Sequence, residues 1–430
     1  MVARLLVLVF VALIPSLSIA DEADKERVSE LLTRGERLER AVRVHERIWL
    51  ASGNSNAYLV TTPAGNVLID TGATFDAERT RRALDAVPGE IRAVVLTHAH
   101  VDHVGGMPLL APKGVPVIAH RAMRQRLADQ IALTPFRNKR ARVLWSAVMD
   151  GQEAHPVADV APSVIVDDAH ELELGGTRFV VLATPGGEGP DGLTVWIPEL
   201  GAIFTGDLCG PTTASFPNLF TLRGENLREA VPMIASLDRV LAISPRPRLW
   251  LPGHFEPVRG RKQIRSTLQR TRDAVAYVHA ATVSGMNAGK DLWTLMREVK
   301  LPPELAVSEQ YGRVAWGVRA ICESYTGWFR YESTAELYAT PRSVADAELV
   351  ALAGGASAVA ARAQQHVARG EPELALHFVD AALAADAKSR DALAAKRAAL
   401  EALLARDGAN FQLGGWLRHE LRAVEALLAH

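Results

Sequence analysis

The chain has 430 residues, more than a single hydrophobic core usually holds, so two or three domains are expected. Its 48 lysines and arginines nearly balance its 49 acidic residues, and a formal net charge of −1 excludes the basic field of a nucleic-acid-binding protein. No block of lysine or arginine indicates attraction to a membrane surface, so the function has to be inferred from a local site.

The first twenty residues have the pattern of a secretory signal peptide. A short positive start is followed by the unbroken apolar run Leu5–Ile14, and Pro15 ends that run. Ser18–Ala20 is a small-x-small site before two acidic residues, so cleavage is expected after Ala20. The alternative is an uncleaved anchor, but the apolar run is short for a bilayer span. We therefore expect a periplasmic or secreted protein with no stable membrane insertion after cleavage.

Residues 21–50 are predicted to form an N-terminal helical segment, because leucines and valines recur at helical spacing among charged residues up to about Arg47. From about Ile48, strand patterns begin to alternate with helical ones, and this alternation predicts the α/β class with a mixed sheet system. We assign residues 51–262 to this domain. Its predicted strands are 56–60, 66–70, 93–97, 115–119, 164–166, 179–183, 193–197, 202–205 and 249–251.

After about Gly260 the strand patterns stop, and residues 263–405 are predicted to be all-α. The alanine-rich stretch from Ala345 to Arg406 is typical of packed helix pairs similar to tetratricopeptide hairpins, although no clean repeat period is visible. Residues 406–430 are left as a C-terminal tail. Two cysteines are no disulfide framework, so Cys209 and Cys322 are interpreted as small buried side chains.

A dense group of metal-ligand side chains directly follows the predicted strand at residues 93–97. Within six residues the chain offers three imidazoles and one carboxylate, which a turn at a strand end allows to converge: His98, His100, Asp102 and His103. Zinc takes these ligand types, at about 2.0–2.2 Å. The glycine pair that follows lets the backbone bend close to the site. The alternative is a polar turn in which histidines happen to cluster.

This H-x-H-x-D-H run resembles the signature of the metallo-β-lactamase superfamily, which implies an αββα sandwich. In that superfamily an earlier aspartate orients the ligands, and Asp70 of Asp70-Thr71-Gly72 matches it. The resemblance also implies that Asp207, at the end of the strand at residues 202–205, bridges two metals. His254 of Leu251-Pro252-Gly253-His254 matches the closing ligand.

One expected histidine is missing. The superfamily supplies it from a Pro-Gly-His segment, whereas the matching stretch Thr184–Pro190 contains none. Either the ligand is lost, or Glu188 takes its place, since a carboxylate oxygen is a competent zinc ligand. The metallo-β-lactamase-fold alkyl sulfatases carry a glutamate after Pro-Gly-x, and this loop resembles theirs. We therefore expect Glu188 to be a ligand, although Asp207 follows the general superfamily pattern and not the glutamate of that branch.

The resemblance then implies two zinc ions per chain. One ion would be held by His98, His100 and Glu188, and the other by Asp102, His103 and His254. Asp207 would bind both ions. Two such ions lower the pKa of a shared water and neutralise charge on an ester, and Asp102 and Asp207 are the expected catalytic carboxylates. Manganese or iron suits the same nitrogen and oxygen ligands.

The stretch after Asp207 carries the evidence on the substrate. Asn218–Gly224 reads N-L-F-T-L-R-G and closely resembles the sulfate-binding stretch of alkyl sulfatases, which implies that Asn218 and Arg223 bind the sulfate. A guanidinium is a suitable fork for an oxyanion. That family commonly has a histidine before the asparagine, where this chain has Pro217.

The helical part resembles the dimerisation domain of alkyl sulfatases, which implies a homodimer. The motifs that carry this resemblance, in chain order, are 272–281, 286–289, 301–303, 311–312, 316–320, 325–329 and 352–355. Longer members of that family add a sterol-carrier-like domain, which this chain is expected to lack, because it ends soon after 410–415.

These features together predict a binuclear zinc hydrolase that cleaves sulfate esters of alkyl alcohols. Its expected partner is a small-molecule sulfate ester, and no nucleic-acid partner is expected. One alternative keeps the metals and changes the substrate to a lactone, a thioester or a phosphorus ester. Another is a metal-poor binding protein that retains the fold. A purely structural helical-repeat protein would leave the ligand cluster without a role.

Overall fold

A computed structural model describes residues 38–145, 157–211, 213, 215–224 and 228–429. The expected signal peptide and residues 21–37 of the N-terminal helical segment lie outside these ranges. The first sheet has seven strands in chain order, antiparallel from β1 to β4 and parallel from β4 to β7. These strands are β1 (Val42–His45), β2 (Ile48–Ser52), β3 (Asn56–Thr62), β4 (Gly65–Ile69), β5 (Ile91–Val95), β6 (Val117–His120) and β7 (Val164–Val166).

The second sheet has six strands in the order β13-β12-β11-β10-β9-β8. They are β8 (Ala169–Leu174), β9 (Thr177–Ala183), β10 (Leu193–Ile197), β11 (Ala202–Gly206), β12 (Leu249–Pro252) and β13 (Val258–Arg259). Only β11 and β12 are parallel neighbours. Because β9, β11 and β12 all run in one direction, their carboxyl ends lie at the same edge of the sheet.

The two sheets pack face to face over a shared apolar core. Side chains alternate along a strand, so Tyr58 and Val60 of β3 face the second sheet while Leu59 faces the opposite way. Strands β10 and β11 are buried along their whole length, since they are covered on both faces. Helices cover the outer faces of both sheets. The predicted αββα sandwich of the α/β class is thus confirmed.

The outer layers are built from short helices. The first sheet is covered by residues of α1 to α4, and the second by α6. Helix α5 follows α4 after a single residue. Their bounds are α1 (Ala77–Asp85), α2 (Val101–Val104), α3 (Met107–Leu110), α4 (Met123–Ala132), α5 (Thr134–Leu144) and α6 (Ala230–Leu241).

The chain after β13 is helical, as predicted. Val275 of α7 and Val318 of α9 share a core with Trp250 of β12, so this region packs directly on the second sheet. Helices α11 to α13 meet through small side chains such as Ala360, Ala375 and Ala399. The bounds are α7 (Arg261–Asn287), α8 (Leu292–Glu298), α9 (Val314–Thr326), α10 (Arg342–Leu352), α11 (Ala356–Ala368), α12 (Pro372–Ala385), α13 (Arg390–Asp407) and α14 (Phe411–Ala429).

Two expectations are corrected by the structure. Residues up to Arg47 were expected to be helical, but β1 and β2 lie there, because Val44 and Ile48 enter the core between the sheets and Ile48 pairs with Val60 of β3. Residues 406–430, expected to be a tail, contain α14, whose Leu417 packs on Leu400 of α13. In both segments tertiary packing decides the structure.

Two further features bear on the sequence predictions. Cys209 and Cys322 are buried and unpaired, which confirms their interpretation as small core side chains. Among the described helices, none is by itself long and apolar enough to cross a bilayer. Helices α10 and α11 meet that test only as a pair, across a bend of 98°.

Candidate metal and anion site

All the predicted ligands, and the predicted ligand-orienting residue Asp70, follow the carboxyl ends of strands. Asp70 follows β4, the His98–His103 run follows β5, Glu188 follows β9, Asp207 follows β11 and His254 follows β12. These strand ends meet at one edge of the sandwich, where an ideal Cβ on Gly206 would lie 2.4 Å from Thr97 Oγ1 of the opposite sheet. The fold therefore brings together side chains that are distant in sequence.

Asp70 is the buried acceptor that organises the cluster. Its Oδ1 accepts a hydrogen bond from the Thr97 backbone N–H (2.7 Å), and its Oδ2 accepts from Thr97 Oγ1 (2.7 Å) and His103 Nδ1 (2.9 Å). The Asp70 backbone adopts φ 56°, a left-handed conformation in which aspartate is better tolerated than most residues. Asp70 thus fixes the ring of His103, which is the contact expected of a ligand-orienting carboxylate, and that role stays a prediction.

His103 and His254 both direct Nε2 toward the same pair of carboxylates. His103 Nε2 lies 3.6 Å from Asp102 Oδ2 and 3.6 Å from Asp207 Oδ1. His254 Nε2 lies 3.4 Å from Asp102 Oδ2 and 3.1 Å from Asp207 Oδ2, while its Nδ1 donates to the Asn54 carbonyl (2.6 Å). The second nitrogen of each ring is therefore engaged and the inward nitrogen is left for a metal.

A second group forms beside the first. His98 Nε2 lies 3.1 Å from His100 Nδ1, and His100 Nδ1 lies 3.2 Å from Glu188 Oε2. One ligand atom from each of His98, His100 and Glu188 falls within 4.8 Å of the others, and the same holds for Asp102, His103 and His254. His98, His103 and Asp207 form a third such group, which joins the two. The groups match the predicted division of the ligands, whose metal-binding role stays a prediction.

The charges in this cluster are strongly interdependent. Burial alone would raise the pKa of Asp102 and Asp207, but His103 and His254 hold the pKa of both carboxyls below the usual range. Burial alone would lower the pKa of His254, but Asp207 and Asp102 raise it to about 10. Burial dominates at His98 and lowers its pKa. The carboxylates are thus ionised in a buried place, and such charges require a cationic partner.

The cluster fits a bound metal. His103 Nε2 and Asp207 Oδ1 are buried and have no hydrogen-bond partner among the described residues, so they form an orphaned donor set aimed at one point. An ideal Cβ at Gly253 would lie 2.1 Å from Asp207 Oδ1 and 2.7 Å from His103 Cε1, so only glycine leaves this space open. Imidazole and carboxylate suit zinc.

A buried arginine, which the sequence did not reveal, contacts this cluster. Arg228 is 4 % exposed and forms an ion pair with Glu188 Oε2. Its Nη1 donates to the Asn218 carbonyl (3.1 Å). In the sequence Arg228 lies between Glu225 and Glu229 and is indistinguishable from a surface residue. Arg228 links the atypical carboxylate ligand to the predicted anion-binding loop.

The predicted sulfate ligands lie on that loop. Asn218 is 2 % exposed, and neither its Nδ2 nor its Oδ1 has a hydrogen-bond partner among the described residues. The Arg223 guanidinium carbon lies 5.5 Å from the centre of the Trp145 ring. Because burying an amide without partners is unfavourable, the Asn218 side chain is arranged for a ligand.

The helical region completes the site. Gln412 Oε1, at the start of α14, accepts hydrogen bonds from Thr221 Oγ1 (3.3 Å) and the Leu222 backbone N–H (3.2 Å). Tyr311 is 2 % exposed; burial raises its pKa, while Arg223 acts in the opposite direction and Glu188 adds to the increase. Tyr311 and Gln412 were not identified as site residues, because nothing local in the sequence connects them with residues 218–223.

Other buried polar contacts hold the ligand run after β5. Asp191 Oδ2 accepts from the Ala99 backbone N–H (2.7 Å), and Gln130 Nε2 donates to the Ala99 carbonyl (2.6 Å). Both peptide groups of Ala99 are therefore fixed between His98 and His100. These two supports also come from distant segments and have no sequence signature.

Comparison with known proteins supports this architecture. The metallo-beta-lactamase superfamily profile matches residues 51–254, and the alkyl sulfatase dimerisation profile matches residues 294–413. A linear primary-alkylsulfatase from Pseudomonas sp. is 29% identical over 358 residues, covering 76% of this chain and 66% of the relative. An (R)-specific secondary-alkylsulfatase, also from Pseudomonas sp., is 28% identical over 382 residues, covering 81% of this chain and 57% of the relative.

A solved structure has the same arrangement of domains. A double mutant of the sec-alkyl sulfatase PisA1 superposes with a TM-score of 0.78 at 25% identity, covering 92% of this chain and 67% of that one. This chain thus spans about two thirds or less of the length of the curated relatives that it matches.

Proposed function

Because this chain joins a metallo-β-lactamase superfamily domain to an alkyl sulfatase dimerisation domain, we propose that it is a binuclear zinc hydrolase that cleaves sulfate esters of alkyl alcohols. The relatives named above are alkylsulfatases, which supports this substrate class. We also propose that it acts as a homodimer in the periplasm or outside the cell. The signal-peptide pattern of the first twenty residues supports export.

One observation carries the substrate assignment. The buried amide of Asn218 has no protein partner among the described residues, and Arg223 lies on the same loop, which Arg228 connects to Glu188. The scissile group of a lactone or thioester is uncharged before attack, so it would offer the Asn218 and Arg223 side chains no anionic group to bind in the ground state. A sulfate monoester carries oxygens that can accept from both side chains while its ester bond faces the carboxylate and imidazole cluster.

In the proposed mechanism the side chains of the protein would hold the zinc ions and would orient the substrate and the attacking water. His98, His100 and Glu188 would hold one zinc, Asp102, His103 and His254 the other, and Asp207 both. Bound there, a zinc pair supplies a water of lowered pKa and neutralises charge developing on the ester.

The remaining side chains act on the substrate and on the attacking water. Asp102 and Asp207 accept hydrogen bonds from that water and orient it. Arg223 and Asn218 donate to the sulfate oxygens and hold the ester in line for attack. Asp70 keeps His103 in position through the contact at its Nδ1.

Sulfate release from a panel of primary and secondary alkyl sulfates tests the proposal. The zinc-loaded protein should release sulfate from at least one member. Arg223→Ala should lower kcat/KM about 10- to 100-fold, since a hydrogen bond to a charged group is lost, whereas Arg397→Ala on the distant helix α13 should not. If no alkyl sulfate is cleaved, or if Arg223→Ala lowers a lactonase activity equally, the sulfate assignment is wrong.

Metal analysis of the purified protein tests the rival of a metal-poor binding protein. We expect about two zinc ions per chain from the two ligand groups. A chain that takes up no metal and binds alkyl sulfates without cleaving them would support the rival instead.

A further inference from the structure

Helices α4 and α5 carry an excess of positive charge, unlike the chain as a whole. Residues 121–142 contain seven lysines and arginines against the single carboxylate Asp129, while the whole chain has a net charge of −1. These cations are scattered in the sequence and form no contiguous block. Six of them lie on one pair of consecutive helices that are separated only by Leu133, whereas Arg121 precedes α4 and pairs with Asp167.

The junction of the two helices is an exposed apolar tip. Ile131 is 42% exposed, Leu133 51% and Phe136 54%. Arg124, Lys139 and Arg142 are also exposed, and no ion pair involves them in the described part of the chain. Apolar side chains flanked by unneutralised cations are typical of helices that lie at the surface of an anionic membrane or micelle.

This tip is fixed next to the candidate site. Gln130, which precedes Ile131, donates to the Ala99 carbonyl between the ligands His98 and His100. Arg140 donates to the carbonyls of Leu222 and Arg223 (both 2.7 Å) and so holds the end of the sulfate-binding loop. Each helix of the pair therefore contacts a loop that forms the site.

We propose that the tip of α4 and α5 docks onto an assembly of anionic amphiphiles, a micelle or bilayer surface with negatively charged head groups. The apolar tip enters the acyl region, and Arg124, Lys139 and Arg142 contact the head groups. Docking presents monomers of a sulfate-headed amphiphile to the adjacent site. This last step rests on the proposed function, whereas docking itself does not.

Vesicle co-sedimentation of the full chain tests the docking. The vesicles are phosphatidylcholine with or without hexadecanesulfonate, an anionic amphiphile that has no ester to cleave. Binding should require the sulfonate. The double change Leu133→Ser with Phe136→Ser, and the double change Lys139→Glu with Arg142→Glu, should each weaken binding at least about tenfold. Added salt should weaken the binding of wild type and of the serine variant.

Matched controls separate docking from general surface effects. Leu427→Ser removes a similarly exposed leucine (55%) on α14, and Lys300→Glu with Lys388→Glu reverses two exposed lysines elsewhere. Both should bind like wild type. Equal binding to plain phosphatidylcholine, or unchanged binding by both tip variants, would overturn the proposal. The proposal would also be overturned if the only effect of Leu133→Ser with Phe136→Ser were to convert a dimer to a monomer.

A kinetic measurement separates this inference from the proposed function. The tip variants should lower the rate of alkyl sulfate hydrolysis above the critical micelle concentration and leave it unchanged with a short, monomeric alkyl sulfate. If wild type cleaves neither, the proposed function fails and vesicle binding still decides the docking. If the variants slow both substrates equally, the tip has no docking role.

Discussion

A carboxylate in place of an imidazole adds one negative charge to a metal site. In the predicted metal site of this protein that carboxylate is Glu188, and the buried Arg228 guanidinium lies against it. The pair is taken out of water, so each partner depends on the other. The same guanidinium also binds the Asn218 carbonyl, which ties the position of the predicted sulfate ligand to that of the predicted metal ligand.

We predict that Arg228→Met destabilises the metal-free protein more than the metal-loaded one. Without the guanidinium, the buried Glu188 carboxylate loses its arginine partner, and breaking a buried ion pair in this way costs about 3–5 kcal/mol. A bound metal supplies a compensating positive charge, so the loss should be smaller in its presence. Thermal unfolding of chelator-treated and zinc-loaded protein measures the difference in Tm.

Two comparisons control this prediction. Arg239→Met breaks the surface ion pair with Asp168 and should change stability by less than about 1 kcal/mol in both forms. Arg228→Lys keeps the charge but removes the fork that reaches both Glu188 and Asn218. An equal fall of Tm with and without metal would show that Arg228 does not act through Glu188.

Among the individual site residues, the sequence revealed those that lie together in one short segment. The run from His98 to His103 can be recognised because its ligand types stand within six residues. Glu188 could be found only by comparison with a motif, since a single glutamate in a glycine-rich loop has no signature. Arg228 and Tyr311 could not be found, because their roles depend on burial and on contacts made by distant segments.

Among the elements, α14 has a role that its position near the end of the chain does not suggest. Its Gln412 accepts from both Thr221 and Leu222 on the loop between Asn218 and Arg223. Phe411 packs edge-on against Trp145, over which Arg223 lies. The helix therefore supports the predicted anion-binding loop.

We expect Gln412→Ala to raise KM for an alkyl sulfate about threefold to tenfold, because two hydrogen bonds that fix the loop are lost. Metal content should stay at the wild-type value, since no predicted metal ligand touches Gln412. Steady-state kinetics and metal analysis measure the two quantities. Gln365→Ala on α11 is the matched control, and a loss of metal in Gln412→Ala would contradict the assigned role.

The strands of the sandwich could be predicted where they are buried and apolar. Strands β10 and β11 are runs of apolar residues and were found within one residue of their observed ends. The edge strand β8 was missed, because its sequence Ala-His-Glu-Leu-Glu-Leu alternates with charged residues and is only half buried. The β1–β2 hairpin was mistaken for a helix, since its valines and leucines also fit helical spacing.

For the whole molecule, the exposed aromatic cluster of the helical region is the feature that a monomer explains least. Trp328 is 70% exposed and Tyr331 87%, and Phe329 packs between them. Exposed aromatic groups of this size mark protein interfaces. The cluster lies within the residues that match the dimerisation profile.

We predict that wild type is a dimer and that Trp328→Ala with Tyr331→Ala shifts it to a monomer. Truncating two interface aromatics should cost about 2 kcal/mol or more each, which raises the dimer dissociation constant by at least about a thousandfold. Analytical ultracentrifugation measures the shift. Trp416→Ala, an exposed tryptophan on α14 (43%), should leave the dimer intact. A double variant that remains a dimer would place the interface elsewhere.

The order of the two regions and their classes followed from hydrophobic period and composition. The contact between the two regions could not be predicted in this way. No pattern within residues 215–218 indicates that Ser215 pairs with Ser308, or that the Phe216 backbone N–H donates to the Ser308 carbonyl. The predicted metal ligands all lie in the sandwich, whereas the predicted anion-binding loop is held by contacts from both regions.

This division gives the site an order of assembly during synthesis. All the predicted metal ligands have been synthesised once His254 is added, so they can come together before the rest of the chain is made. The loop that selects the anion is fixed only when Gln412 arrives, more than a hundred residues later. On the nascent chain the predicted metal ligands are therefore complete before α14 fixes the predicted anion-binding loop.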